Sequence, residues 1–229
     1  MFTKDNHKII LKIRGGSHLY GLNTDLSDDD YIGIFLNKKV ETFGLEACDV
    51  IEENIISKLE NGKNSKDAID CKYYSLDKFC RLAMKCNPTI LEILFVNGDN
   101  IIYCDEYGKK LLDNKHLFIS QNAKNSFLGY AISQKNKSKH GLDYKFMSHT
   151  VRLLYEGLEL LKTGHITFPL IQRDLLMDIK LGKTNNISII ELIEALEQKI
   201  KDITINLPNK PNIEGINNLL VDIYTSYYK

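Results

Sequence analysis

The chain has 229 residues, 43% hydrophobic and 26% charged, and its 30 Lys and Arg balance 30 Asp and Glu. That length buries a real core and permits one large domain or two small ones, with the composition of a globular protein. No apolar run approaches the roughly 20 residues that span a bilayer, and zero net charge gives little general pull toward nucleic acid.

The opening MFTKDNHKIILKIRGG is too short in apolar residues and too broken by Lys and Arg for a signal peptide. A cytoplasmic protein with no membrane partner is expected. Cys48, Cys71, Cys80, Cys86 and Cys104 are odd in number and form no C-x-x-C pair, which excludes a disulfide framework and a zinc site on spacing. The charges are unevenly spread. Residues 25 to 60 carry ten carboxylates against three lysines, and residues 121 to 152 carry six basic side chains against Asp143 alone. A cation-holding patch and a phosphate-holding patch would look like this, and so would two solvated faces of opposite sign.

HKIILKIR reads as a strand that ends at the Gly15-Gly16 turn, and DDDYIGIFL as a second strand after the turn-rich NTDLSD. EACDVIEENI is ambiguous, and NGKNSKD is a polar loop. AIDCKYYS then alternates as a third strand, with Ile69, Cys71 and Tyr73 on one face and Asp70, Lys72 and Tyr74 on the other. From Ser75 the period changes to helical: Ser75 caps a stripe of Leu76, Phe79, Leu82, Ala83 and Cys86. Asn87 caps the next helix, with Pro88 in its first position. Beyond about 115 the pattern is helical throughout. Long helices lie in SQNAKNSFLGYAISQKNK and in DYKFMSHTVRLLYEGLELLKTG, and shorter ones near 170–181, 187–202 and 214–228.

The stretch GGSHLYGLNTDLSDDDYIGIF fails three familiar templates. Gly16 and Gly21 have P-loop spacing, but Leu22 and Asn23 follow where Lys and Ser or Thr are needed. A calcium loop from Asp28 would put Gly33 correctly, yet Ile32 and Lys39 occupy ligand positions. The Rossmann glycine pattern is absent. What remains is a strand ending in Gly15-Gly16-Ser17, where small residues let phosphate oxygens reach backbone N–H groups, with added dipole if a short helix begins there. Asp28 and Asp30 stand two apart on a strand and share a face, and Asp29 points the other way, to solvent or a turn. Two hard oxygen ligands beside a phosphate cradle suit Mg²⁺. Asp70, charged in mid-strand among apolar residues, is the candidate third carboxylate of a two-ion site.

These motifs resemble the nucleotidyltransferases of the DNA polymerase beta superfamily. With DCKYYSLDKFCRLAMKCNPTILEILF, FLGYAISQ and HTVRLLYEGLELLKTG, the chain is similar to the RNA repair pathway polymerase-beta family over most of residues 9 to 182. The resemblance implies triphosphate contacts at Gly16 and Ser17. It puts metal ions on Asp28 and Asp30, with Asp70 as the third carboxylate that helps activate the acceptor hydroxyl. His18 stands where relatives often carry Arg, making that nucleotide contact weaker or pH-sensitive.

His149 and Arg152 lie one helical turn apart, as a cation aimed at nucleotide phosphates or as a helix-face hydrogen bond. Lys135, Lys137, Lys139 and Lys145, with Tyr130 and Tyr144 near in sequence, form a candidate nucleic-acid contact or a solvated helix end. Lys72 shares a face with Asp70 and reads as its salt-bridge partner, and Tyr227 and Tyr228 read as packing.

The expected fold is α+β, a small mixed sheet with flanking helices in residues 1–115 followed by a helical part in 116–229. The expected chemistry is transfer of a nucleoside monophosphate from an NTP, with two Mg²⁺ ions (Mn²⁺ substituting) and pyrophosphate leaving. The acceptor reads as an RNA or tRNA 3′ end. Adenylylation of a protein or small molecule by the same site, or a non-catalytic nucleotide- or RNA-binding module, stays open.

Overall fold

The computed structural model describes residues 1–25, 27–55, 67–138 and 143–229. Its first half runs β1 (Lys8–Arg14), α1 (Gly16–Tyr20), β2 (Asp29–Leu36), α2 (Lys39–Phe43), β3 (Val50–Ile55), β4 (Ile69–Ser75), α3 (Leu76–Ala83), α4 (Pro88–Leu94), β5 (Ile101–Cys104) and α5 (Glu106–Asp113). The second half is helical: α6 (Asn122–Lys137), α7 (Tyr144–Thr163), α8 (Arg173–Lys180), α9 (Asn186–Asp202) and α10 (Ile213–Tyr227). The strands form one sheet in the order β3-β4-β2-β1-β5. β2 and β4 pair in parallel, and the other neighbours are antiparallel. The fold is α+β, a mixed sheet with flanking helices and a helical C-terminal part.

Two edge strands go beyond the sequence reading. The ambiguous EACDVIEENI supplies β3, which sets Glu52 opposite Lys72 of β4. β5 is only four residues long, too few to display alternation. The loop expected at NGKNSKD lies outside the described residues up to Lys66.

Helix starts follow local chemistry. Ser75 accepts from the Lys78 N–H at 3.2 Å, Asn87 from Ile90 at 3.3 Å, and Asp143 from Lys145 at 2.9 Å. Gly164, at φ 72°, ends α7 in the left-handed region that favours glycine.

The core lies on one face of the sheet. Ile10, Leu11 and Ile34 pack with Phe79 and Leu91, and the same cluster continues through Phe127, Leu154 and Ile193 to Ile223 of α10. The helical part expected from 116 thus shares its core with the sheet. α10 returns to the first half: Tyr224 Oη donates to Asp77 of α3 at 2.5 Å, and Tyr228 Oη to the Asn37 carbonyl at 2.8 Å. Among the described residues, no helix is long and apolar enough to cross a membrane.

The other sheet face carries a smaller cluster of Ile9, Phe35, Ile51, Cys71 and Tyr73. The His7 ring packs edge-on against Phe35 and bonds to Glu41 of α2 at 2.9 Å, covering one end of that face. Toward Tyr31 and Ile69 the face opens into a groove.

Candidate active site

The parallel register of β2 and β4 sets Asp30 directly beside Asp70. Asp28, two residues before Asp30, falls on the same side by the period of a strand. One oxygen from each carboxylate lies within 4.8 Å of the other two. Asp30 and Asp70 have no salt bridge among the described residues. Burial pushes the Asp30 carboxyl up to about 6, helped by the like charges of Asp28 and Asp70, with Lys145 pulling the other way. Three hard oxygen donors held this close fit a divalent ion such as Mg²⁺ or Mn²⁺.

The glycine turn is built against this group. The Gly15 N–H donates to the Asp30 carbonyl at 2.8 Å. Gly16 sits at φ +57°, and a Cβ there would stand 2.0 Å from Asp30 Oδ2. Glycine is required at 16 on both counts. Ser17 follows in the first turn of α1, and its hydroxyl makes no hydrogen bond among the described residues. Gly16, Tyr20, Asp30, Asp70, Lys72 and Thr89 line a cleft of about 360 Å³. A larger hollow, of about 850 Å³ between α7 and α9, contains none of these residues.

Cations approach from the helical part. Lys145, in the first turn of α7, is close enough to Asp30 to favour its ionised form. Lys180, the last residue of α8, donates to the Leu22 carbonyl at 2.7 Å. Burial lowers its pKa, the Lys145 charge adds to that, and Asp28 opposes. His149, one turn beyond Lys145, is pushed down to about 3 by burial first and then by Arg152, Lys145, Lys180 and Lys137. It is therefore a neutral ring inside a ring of positive charge. Lys180 escaped the sequence reading, because a lysine at a helix end carries no motif.

Arg152 is turned away from the cleft mouth. Its Nη1 donates to Glu92 Oε1 at 2.6 Å and to Glu156 Oε1 at 2.8 Å, and its guanidinium stacks 4.0 Å over the Tyr20 ring. Tyr20 Oη in turn donates to Glu92 Oε2 at 2.6 Å. Arg152 is thus a buried clamp under α1, its Nη1 shared by two glutamates while its buried Nε has no partner among the described residues. With two carboxylates for one arginine, burial pushes Glu156 up to about 8.

His18 lies beside the start of β2, near Asp28 and Asp29. Its Nε2 stands 3.5 Å from Asp29, across β2 from the triad, and Asp29 is held by Arg14. Burial and then the Arg14 charge lower its pKa. Asp29 therefore has partners rather than solvent alone. Lys72 pairs with Glu52 at 2.8 Å rather than with Asp70, since the β3 register puts Glu52 opposite it. Of the lysines read as one nucleic-acid contact, Lys137 and Lys145 both act on His149, while Lys135 turns to α9. Lys135 pairs with Glu197 at 3.6 Å, and Lys137 lies 6.0 Å from the Phe146 ring centroid. Lys145 faces the triad, and Lys139 lies outside the described residues.

The family model for the RNA repair pathway DNA polymerase beta family matches residues 1–206 of the chain. An uncharacterized 38.9 kDa protein from the nrdC-mobD intergenic region of Enterobacteria phage T4 is 35% identical over 143 residues. The match takes in 59% of this chain and 39% of the phage protein, so the chain spans about two fifths of that curated relative. A solved nucleotidyltransferase-like protein from Exiguobacterium sibiricum aligns at a TM-score of 0.34 and 10% identity, over 96% of this chain and 74% of that one. That likeness is too slight to carry an argument.

Proposed function

The chain belongs to the RNA repair pathway DNA polymerase beta family, and from that membership we propose that it moves a nucleoside monophosphate from an NTP to an acceptor hydroxyl. The acceptor in this reading is the 3′ end of an RNA. The observation that carries it is the convergence of Asp28, Asp30 and Asp70 within 4.8 Å, faced by Lys145 and Lys180.

Asp28 and Asp30 would hold two divalent ions, with Asp70 on the ion nearer the acceptor. Such ions, when bound, make the hydroxyl more acidic and neutralise charge on the phosphates. In this reading the acceptor oxygen bonds to the α-phosphorus as the bond from that phosphorus to the α,β-bridging oxygen breaks, the hydroxyl proton passes to the Asp70 carboxylate and on to water, and pyrophosphate departs with the bridging oxygen. Phosphoryl transfer is mostly positioning and charge neutralisation, and the residues here divide along that line. The turn at Gly16 and Ser17 lets phosphate oxygens come close to backbone N–H groups. Lys145 and Lys180 meet the charge of the β- and γ-phosphates. His149, held neutral, donates or accepts a hydrogen bond without adding a further charge. Arg152 positions α1 from below and touches no substrate.

The test supplies each of four α-³²P-labelled NTPs with Mg²⁺ or Mn²⁺, with RNA as acceptor and Asp28→Ala as control. Label entering RNA with the parent alone supports the reading, and label entering protein or small molecules instead moves the acceptor. No label anywhere sinks it.

Two variants follow from the cradle and the cations. Gly16→Ala is expected to lower transfer on the order of a hundredfold while costing only about 1–3 kcal/mol of stability, since its Cβ must displace the Asp30 carboxylate. Parallel rate and melting measurements check this, and a loss explained by unfolding would contradict it. Lys180→Ala is expected to raise KM for NTP about tenfold with kcat nearly unchanged, the pattern of a lost phosphate contact made alike in ground and transition states. Steady-state kinetics read it directly.

A further inference from the structure

A groove of about 660 Å³ lies on the sheet face that the helices leave uncovered, with Lys12, Tyr31, Asn54, Cys71 and Tyr73 among its lining residues. Tyr31, Asn54 and Cys71 line the triad cleft as well, so the two hollows meet at that end of the sheet. Lys12 Nζ sits 4.6 Å from the centroid of the Tyr31 ring and 5.7 Å from that of Tyr73. The acids around it are engaged elsewhere: Asp29 with Arg14, Glu52 with Lys72, and Glu53 with the Lys4 backbone N–H at 2.6 Å. Lys12 itself has no carboxylate partner among the described residues. A cation and a partly exposed aromatic ring thus stand together on the sheet face opposite the triad, and the shared lining residues join that face to the reacting centre at the end of the sheet.

The direction of approach is set by the chemistry. In-line displacement puts the attacking oxygen and the leaving pyrophosphate on opposite sides of the phosphorus. Lys180 rests on the Leu22 carbonyl just past α1, and Lys145 acts on Asp30, so the cations flank the β2 side of the triad. Asp70, the exposed member, lies one strand further out on β4, beside Asn54 of β3. An acceptor coming in past β4 and β3 reaches the groove on the opposite face round the end of the sheet, where the two hollows share Asn54 and Cys71.

We propose that the uncovered sheet face holds the 3′-terminal stretch of a single-stranded RNA acceptor, with Lys12 on a phosphodiester and Tyr31 stacking a base just short of the end. The assignment rests on the nucleotidyl-transfer reading for its direction. An unpaired strand fits because only a splayed base offers its face to a tyrosine ring, whereas a duplex offers a backbone.

The test measures fluorescence anisotropy of a 5′-labelled single-stranded RNA with the full chain, across a salt series and without nucleotide. Tyr31→Leu, which keeps bulk and removes the ring, is expected to weaken binding about tenfold. Lys12→Gln is expected to weaken it and to reduce the salt slope by about 1, with Lys12→Arg restoring both. NTP binding, read by Mg²⁺-dependent thermal shift, stays at the parent value in all three. RNA affinity unchanged in Tyr31→Leu and Lys12→Gln overturns the proposal, as does loss that tracks Lys137→Gln instead, or a parent that binds no RNA. If the parent binds RNA through Lys12 and Tyr31 yet transfers no label, the sheet-face assignment stands and the transfer reading falls. If label transfer persists with KM for RNA unchanged in both variants, the transfer reading stands and the sheet-face assignment falls.

Discussion

Asp30→Asn is expected to lower label transfer by at least on the order of 10³, while making the metal-free protein more stable at neutral pH. Asp30 is more buried than Asp70, and no salt bridge offsets it among the described residues. Its carboxyl holds a proton up to about 6 in the folded chain against 3.8 as the ordinary value, so the folded state binds that proton more tightly. Stability from this group is complete below the lower value and is lost as pH rises through the higher one. The full rise converts to about 3 kcal/mol, which solvent screening at this partly exposed group reduces to about 1. The amide removes that cost. Added Mg²⁺ should stabilise the parent increasingly from pH 5 to 7 as the proton leaves, and the variant much less. Melting curves with and without Mg²⁺ across that range decide it; an equal Mg²⁺ effect on both proteins would refute the assignment.

Arg152→Ala is expected to cost about 3–5 kcal/mol, because removal of the cation leaves Glu92 and Glu156 buried side by side without a counter-charge or donor between them. Glu92 and Glu156 are 1% exposed, and Arg152 is itself 6% exposed. Glu156→Gln should cost less than about 1 kcal/mol, since Glu156 already favours its neutral form below about 8. In the parent, the contribution of Glu156 to stability is present at low pH and declines as pH rises through about 8. Arg152 holds the Glu156 value down, so its loss raises that value further and the deficit should widen as pH rises above about 8. Denaturant unfolding at several pH values measures this. A deficit that does not change with pH would mean that the guanidinium contributes packing alone.

What the sequence disclosed is what short-range patterns encode. The alternation of AIDCKYYS put Asp70 on a face, and the period of β2 put Asp28 and Asp30 on another, so three carboxylates could be named without coordinates. That Asp70 faces Asp30 is a matter of strand register, which no local pattern states. Ser75, Asn87 and Gly164 announced helix ends because caps are local chemistry. Arg152 stayed open between two readings because one sequence cannot tell a cation aimed at a ligand from one paired with Glu92, which lies far off in the chain. Lys180 and Lys12 were invisible for the converse reason: each gains meaning only from what tertiary packing sets beside it. The same limit applied to Lys135, whose partner Glu197 lies far off in the chain.

The parallel pairing of β2 with β4 has a kinetic consequence. Asp30 and Asp70 come from strands joined through β3, so their carboxylates meet only after a long-range crossover has closed. Such contacts form late, after loop-closure entropy has been met, and an unfinished sheet has no triad to offer an ion. Divalent ions should therefore leave the refolding rate unchanged and slow unfolding, the signature of contacts absent from the transition state. For this chain, stopped-flow refolding and unfolding with and without Mg²⁺ would separate the ion as a late lock from the ion as a folding template.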